Sequence, residues 1–348
     1  MSELLGRPKV LKRLNKDLIK NKLKSLGSAT KAQLAQETEL SLTTVGLILG
    51  ELVNTGEVLN QGFDVSSGGR RAERYSLNLN YSLAAVMCVE GEYIDYAVGN
   101  SAGDFIDEGR VEIKEGDHMK NLRTLLDGLI EKHEAIACIG LGVPSAVKNG
   151  CLFTGTKLKE WFSINVQEYL EETYELPVTI ENDLNASAIG YAYNRLREAG
   201  IGLSSSLNMA YVHLTTDGTA AGIIANGRLI RGFSNFAGEL GHLRLASGRS
   251  LDNLIDESTN DEEYAEAVAL EIAALNCVVN PEYIVIGGDS FRTNTLALIH
   301  EYCEDLIPKH IRPEIILGED SRLDYISGVM QLTIEAMNWK LRLVKSRN

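Results

Sequence analysis

Apolar positions in the first eighty residues fall at helical intervals, whereas farther on they gather in short continuous runs broken by polar residues. Leu18, Ile19, Leu23 and Leu26 recur every three or four residues and Gly27 follows, which predicts an amphipathic helix over 15–26. Thr30 is a residue type that caps helix N-termini, and a second helix is expected after it with Leu34 and Ala35 inward. Thr38-Glu39-Leu40 then forms a turn, and Ser41 caps a third helix that buries Val45, Ile48, Leu49 and Leu52. Thr43, Thr44 and Leu47 are left near the exposed start of that helix. Behind it comes Ser66-Ser67-Gly68-Gly69-Arg70-Arg71, a basic, glycine-hinged hairpin tip, and an alternating strand over 74–79.

A helix-turn-helix followed by a basic hairpin is the pattern of a winged helix that grips double-stranded DNA. On that reading Thr43, Thr44 and Leu47 face base edges, Lys16, Lys20, Lys22 or Lys31 meet phosphates, and Arg70 and Arg71 enter a groove. Three features depart from the common pattern. Glu39 occupies a turn position that suits glycine, the stretch 41–50 has no Lys or Arg, and Gly46 and Gly50 sit inside the third helix. Each such glycine weakens a helix by about 1 kcal/mol relative to alanine. Each element also has a plainer alternative, a small helical bundle and a solvated loop. Their conjunction, in this order, favours DNA.

From residue 81 onward, apolar runs predict strands over 84–90, 93–98 and 105–113, a helix over 122–130 and a buried strand over 136–143. A looser repeat follows, with strands over 208–215, 220–225 and 228–230, a helix over 264–277 and a strand over 283–286 that ends in Gly287-Gly288. A β-β-β-α-β unit used twice implies two α/β lobes with a ligand cleft at their boundary.

Charge divides the chain in the same place. The net charge is -14, yet residues 1–80 hold 12 Lys+Arg against 8 Asp+Glu, leaving 22 against 40 for the remainder. Only the head has the field to approach phosphate. Cys88, Cys138, Cys151, Cys277 and Cys303 are scattered with no C-x-x-C pair, which argues against a disulfide framework or a zinc cluster and fits a reducing, cytoplasmic setting. No signal-peptide pattern or apolar run of membrane-spanning length is present, so membrane insertion is not expected.

The body carries Gly140-Leu141-Gly142-Val143-Pro144, the stretch 158–161, Leu176-Pro177-Val178-Thr179-Ile180-Glu181-Asn182-Asp183, and the span from Gly222 through Asn226-Gly227 to Ala237-Gly238-Glu239-Leu240-Gly241-His242. In order and spacing these segments resemble the ROK family of sugar kinases and transcriptional repressors, whose repressor branch carries a winged-helix head. The resemblance implies a two-lobed actin-like, ribonuclease-H-like ATPase fold. It divides the chain into a DNA-binding domain over 1–80, a first lobe over 81–190 with a C-terminal helix over 322–348 packed back on it, and a second lobe over 191–321. It also assigns sugar contacts to Asn182, Asp183, Glu239 and His242, with the aspartate as general base toward a sugar hydroxyl in the kinases. These residues have structural alternatives: Asp183 capping the helix that continues through Ala186, Ala188 and Tyr191, and Glu239 and His242 stitching a turn.

Against the family pattern, the phosphate loop Asp-x-Gly-Gly-Thr is replaced by Met87-Cys88-Val89-Glu90-Gly91-Glu92-Tyr93, with Cys88 in the aspartate's place and Glu90 in a glycine's. Asp217 intrudes on the second phosphate loop, which reads Thr216-Asp217-Gly218-Thr219-Ala220-Ala221-Gly222. Added carboxylates repel a triphosphate, so ATP-dependent catalysis and a nucleotide cofactor are not expected. The family's cysteine cluster after the Gly-His element is absent from 243–252, so no structural zinc is expected, and Asp252 stands where the family has a glutamate near the sugar. Lys157 replaces a frequent sugar-side asparagine.

The resulting expectation is a cytoplasmic transcriptional regulator, a repressor of carbohydrate-utilisation genes. It binds a DNA operator as a homodimer or higher homo-oligomer and is controlled by a small sugar effector at Asn182, Asp183, Glu239, His242 and Asp252. The alternatives are a ROK-type sugar kinase and a regulator that answers to a protein partner.

Overall fold

The computed structural model describes residues 8–63, 72–113, 118–153, 158–198, 206–215, 218–244, 248–255 and 259–344. Arg70, Arg71, Lys157 and Asp217 lie outside the described residues. The chain forms two compact units, one of residues 1–82 with 100–102 and one of 83–99 with 103–348.

The smaller unit is a winged helix. Helix α1 (Pro8–Leu26) leads to strand β1 (Ser28–Thr30), helices α2 (Lys31–Thr38) and α3 (Leu42–Asn54), and the hairpin of β2 (Val58–Phe63) and β3 (Glu73–Leu77). Ile19, Leu23, Leu34, Val45, Ile48, Leu49, Leu52, Val58 and Tyr75 make one core, so the inward residues anticipated for α2 and α3 meet there with Ile19 and Leu23 of α1, whereas Leu18 and Leu26 are exposed. Thr30 builds a full capping box: its hydroxyl accepts from Gln33 N at 3.3 Å while Gln33 Oε1 accepts from Thr30 N at 2.9 Å. Ser41 Oγ accepts from Thr44 N at 3.1 Å and starts α3. Between these helices Glu39 takes the left-handed conformation, φ 57°, that makes the turn. Helix α1 begins seven residues before the predicted start, because Leu11 and Leu14 are exposed and leave no buried stripe to mark that stretch. Strand β1 pairs antiparallel with β3, whose other edge takes β2, in the order β1-β3-β2.

The larger unit starts with the meander β4 (Leu83–Glu90), β5 (Tyr93–Gly99) and β6 (Phe105–Glu112). Helix α4 (His118–Lys132), β7 (Ile136–Val143), a small hairpin of β8 (Val147–Lys148) and β9 (Cys151–Leu152), α5 (Val166–Tyr174), β10 (Val178–Asn182) and α6 (Asp183–Glu198) follow. The second half repeats the plan with β11 (Met209–Thr215), β12 (Gly218–Ala225), β13 (Arg228–Leu229), α7 (Leu251–Ile255), α8 (Asp261–Val278), β14 (Tyr283–Gly287), α9 (Leu296–Leu306) and β15 (Glu314–Leu317), and α10 (Ser321–Val344) closes the chain.

The two sheets have the same topology. Their orders are β10-β7-β4-β5-β6 and β13-β12-β11-β14-β15, with the meander strands antiparallel and the last two of each half parallel to the first. This duplicated, mixed sheet with helices on both faces is the two-lobed actin-like arrangement. Strand β4 is buried on both sides. Ala85, Met87 and Val89 point to a core shared with Leu122 and Leu126 of α4 and Leu170 of α5, while Ala84, Val86 and Cys88 meet Tyr325, Val329 and Met330 of α10. In the second sheet, one face packs on α7, α8 and α9, and the other on Ala188, Ile189 and Ala192 of α6.

Helices α6 and α10 therefore form the layer between the sheets. Their crossing is close enough to require glycine: a Cβ on Gly190 would lie 1.7 Å from Asp324 O, and one on Gly328 would lie 1.7 Å from Ala186 O. Asp95 pins α10 to the first sheet from beneath, accepting from Arg110 Nε and Nη2 at 2.8 and 2.7 Å and from Arg322 Nε at 2.7 Å. No helix among the described residues is long and apolar enough to cross a membrane.

Candidate functional site

Parallel strands end where their helices begin, and in this architecture the ends of β10 and β12 and the β4–β5 hairpin converge. They enclose a cleft of about 580 Å³ within the larger unit. Glu90, Glu92, Asp183, Glu239, Asp252 and Asp289 line it together with His213 and His242, and no Lys or Arg is among the described lining residues. All five residues assigned to a sugar from the sequence, Asn182, Asp183, Glu239, His242 and Asp252, lie on this cleft.

Asn182 and Asp183 divide two tasks. Asn182 Oδ1 accepts from Leu184 N and Asn185 N, both at 3.1 Å, so the asparagine is the principal cap of α6. Its Nδ2 donates to Asp183 Oδ1 at 2.7 Å and to Ser145 O at 3.4 Å. Asp183 Oδ1 also accepts from Leu184 N at 2.9 Å. One oxygen of the aspartate is thus held by the protein. Burial pushes the Asp183 carboxyl up to about 7, with the Glu90 and Glu239 carboxylates adding to the rise and the Leu184 N–H opposing it.

Glu239 enters from a loop, at the start of the 3-10 turn 240–242. Gly238 lets that loop lie on β12: its φ is 95°, and a Cβ there would fall 1.9 Å from Ala221 O. Burial raises the Glu239 carboxyl above the ordinary range, the nearby Asp252 adds to this, and His242 opposes it. His242 is exposed, with its ring 5.3 Å from that of Phe236. Asp252 is a staple as well as a lining residue: its Oδ1 accepts from Thr219 N at 3.0 Å and lies where a Cβ on Gly241 or Gly218 would be. Beneath it, Thr219 Oγ1 donates to Glu271 Oε1 at 2.7 Å, and burial pushes this wholly enclosed glutamate up to about 8.

Two features, an ion pair behind Asn182 and a histidine on the cleft wall, were not singled out from the sequence. Glu181 Oε2 accepts from Arg231 Nε and Nη2 at 2.9 and 2.6 Å, and its Oε1 accepts from Asn185 Nδ2 and Asn182 N at 3.0 and 3.1 Å. Glu181 belongs to the quoted motif, but Arg231 lies fifty residues away and nothing local marks it. His213, whose basicity burial lowers, faces the cleft from β11. Cys88 is not on the cleft. It is buried in the α10 side of β4, and burial raises its thiol well above the ordinary range. Among the described residues no three His, Cys, Asp or Glu side chains converge on a metal position.

In the head, Thr43 and Leu47 are exposed on α3, and Thr44 is half-buried with its hydroxyl 2.8 Å from Ser41 Oγ. Lys31, at the first position of α2, lies against α3: a Cβ on Gly46 would be 3.3 Å from its Nζ. Lys16, Lys20 and Lys22, anticipated as phosphate contacts, are each ion-paired in this structure, to Glu51, Glu57 and Glu37. Arg70 and Arg71 fall outside the described residues, so their placement on the wing is not part of this geometry.

Comparison with known proteins agrees with the fold and the motifs. The ROK family model matches residues 88–259. A protein named xylose repressor from Caldicellulosiruptor bescii is 28% identical over 248 residues, which cover 68% of this chain and 60% of that protein. A putative xylose repressor from Caldicellulosiruptor sp. is 25% identical over 380 residues, covering 89% and 93% of the two chains. Among solved structures, a ROK family transcriptional regulator homologous to the Escherichia coli MLC protein superposes with a TM-score of 0.68 at 16% identity, covering 95% of this chain and 98% of its own. A putative N-acetylmannosamine kinase from Listeria monocytogenes gives 0.61 at 18% identity, covering 74% and 99%. The duplicated sheets, the Asn182-Asp183 strand end, the Glu239-to-His242 turn and these matches agree: residues 88–259 carry a ROK family domain.

Proposed function

We propose that the protein is a sugar-responsive, DNA-binding transcriptional repressor of carbohydrate-utilisation genes. Its winged helix holds a double-stranded operator, and a sugar or sugar derivative enters the cleft at Asn182, Asp183, Glu239 and His242, with Asp252 bracing the floor. The observation that carries this reading is the lining of the cleft, six carboxylates with no described Lys or Arg. Acidic side chains bind vicinal hydroxyls, whereas a triphosphate in the same space meets six of them and no described Lys or Arg to offset its charge. The relatives named repressors support a regulator over a catalyst. The fold shared with kinases supports the sugar site itself.

The sugar acts by population shift. Contacts made better in one arrangement of the chain favour that arrangement and change operator affinity through a coupling of about 1–3 kcal/mol. A homodimer presenting two heads to two half-sites fits this scheme and the needs of a palindromic operator.

Calorimetry of the full chain tests the reading, with xylose first and then a panel of hexoses and N-acetylhexosamines, each with and without MgATP. A saturable sugar signal unaffected by MgATP is the expected result. Saturable MgATP binding with formation of a sugar phosphate would replace the regulator by a kinase.

A further inference from the structure

Helix α3 presents an unusual surface for an element placed to read DNA. Its exposed positions include Leu42, 57% exposed, Leu47, 68% exposed, and Thr43, and between Leu42 and Gly50 there is no charged or amide side chain. The inward face is fully used by Val45, Ile48, Leu49 and Leu52, so the two leucines are not core residues. Thr43, Leu47 and Gly50 follow one another at intervals of four and three and form one ridge, while Leu42 and Gly46 lie beside it. Gly50, with open space at its Cβ position, leaves the helix backbone uncovered beside Leu47. Lys31 Nζ stands over Gly46 on one flank, and no ion pair occupies it among the described residues.

Base edges in the major groove offer three kinds of partner. Guanine and adenine are read by the forked donors of Arg or the amides of Asn and Gln, cytosine by carboxylates, and thymine by apolar contact with its C5 methyl. The ridge of α3 has none of the first two sets and supplies two leucines and the methyl of a threonine. We propose that α3 reads its half-site through thymine methyl groups, with Leu47 as the principal specificity-determining residue, Leu42 and Thr43 beside it, and Lys31 fixing the register on an adjacent phosphate. This rests on the DNA-binding reading above and adds the chemistry of what is read. It also gives a reason for leaving large apolar side chains in water: they are covered only on a matching site.

The experiment begins with the full chain and a random library of 30-base-pair duplexes, from which bound sequences are selected at low salt. The selected duplex is then compared with the same duplex carrying deoxyuridine for thymine in its half-sites, a change that removes only the C5 methyl. The wild-type chain should bind the uracil duplex more weakly, by about fourfold for each methyl buried against a leucine. Leu47→Ala, at a largely exposed position that leaves the core intact, should bind the thymine duplex more weakly and lose most of the thymine-over-uracil preference. Leu47→Arg should bring guanine into the selected half-sites. Equal wild-type affinity for the thymine and uracil duplexes, or half-sites selected without thymine, would overturn the inference while leaving DNA binding intact. Selection of no duplex at all would overturn the DNA-binding reading with it.

Discussion

Arg231 Nη2 and Nε lie 2.6 and 2.9 Å from Glu181 Oε2, and this one carboxylate ties the end of the first sheet to the loop beyond the second sheet's edge strand. The glutamate is almost enclosed, while the arginine side chain is 39% exposed. Removing the arginine leaves a desolvated carboxylate with only Asn185 Nδ2 and Asn182 N as donors. With the exposed partner discounted for screening, Arg231→Ala should cost about 1–3 kcal/mol in denaturant unfolding. It should also weaken sugar binding by about tenfold, because Glu181 registers Asn182 and through it Asp183. Unchanged stability together with unchanged sugar affinity would show that the pair is a solvated contact without a positioning role.

The crossing of α6 on α10 makes a sharper demand. At Gly190 and Gly328 the first added carbon meets carbonyl oxygens of the facing helix rather than a movable side chain. Gly190→Ala or Gly328→Ala should therefore destabilise the larger unit by about 3 kcal/mol or more, since the helices must separate to admit the methyl. Gly128, which has open space at its Cβ position within α4, is the control, and Gly128→Ala should be neutral or stabilising. Equal behaviour of the three variants in urea would contradict the close crossing.

Glu271 fixes a pH dependence of stability. Its carboxyl is held up at about 8, far above the ordinary 4.5, chiefly by burial. Between those two values the native protein keeps a proton that the unfolded chain has released. Stability from this group is therefore fully present below about pH 4.5 and is lost as pH rises through about 8. Asp183, raised to about 7, acts in the same direction. The melting temperature should fall from pH 6 to pH 9. Glu271→Gln, which stays neutral, should flatten that fall and exceed the wild type by a few degrees at the alkaline end. A variant with the wild-type slope would remove Glu271 as the cause.

Much of this was legible in the chain itself, and the reasons differ by element. Thr30 and Ser41 cap their helices as their residue types suggest, and the β-β-β-α-β repeat was visible because strands such as β4, β7 and β14 are short apolar runs ended by polar residues. The five residues expected to meet a sugar line one cleft; Asn182, Asp183, Glu239 and His242 belong to motifs at a strand end or a turn, whereas Asp252 lies in α7. Other features had no local signature. Asn182 and Asp183 are both good caps, and only the backbone decides that Asn182 takes the helix and leaves Asp183 toward the cleft. Strand β1 has three residues and exists only through its pairing with β3. The ion pairs of Lys16, Lys20 and Lys22 depend on acidic residues brought near by folding, which spacing along the sequence does not reveal.

Lys31 lies directly beside α3, its Nζ 3.3 Å from where a Cβ on Gly46 would be. If it meets a phosphate, Lys31→Ala should weaken binding to all duplexes by a similar factor and reduce the slope of log affinity against log salt by about one. A sequence-dependent loss with an unchanged slope would place Lys31 on a base edge instead.

The central claim is that a sugar in the acidic cleft controls the hold of the head on DNA. It is tested most directly by fluorescence anisotropy of the full chain on its selected duplex, titrated at several salt concentrations with and without the sugar found by calorimetry. The account predicts duplex binding that weakens steeply with salt and a sugar-dependent change in Kd of about 5- to 150-fold. Duplex affinity that is indifferent to a sugar shown to occupy the cleft would contradict it.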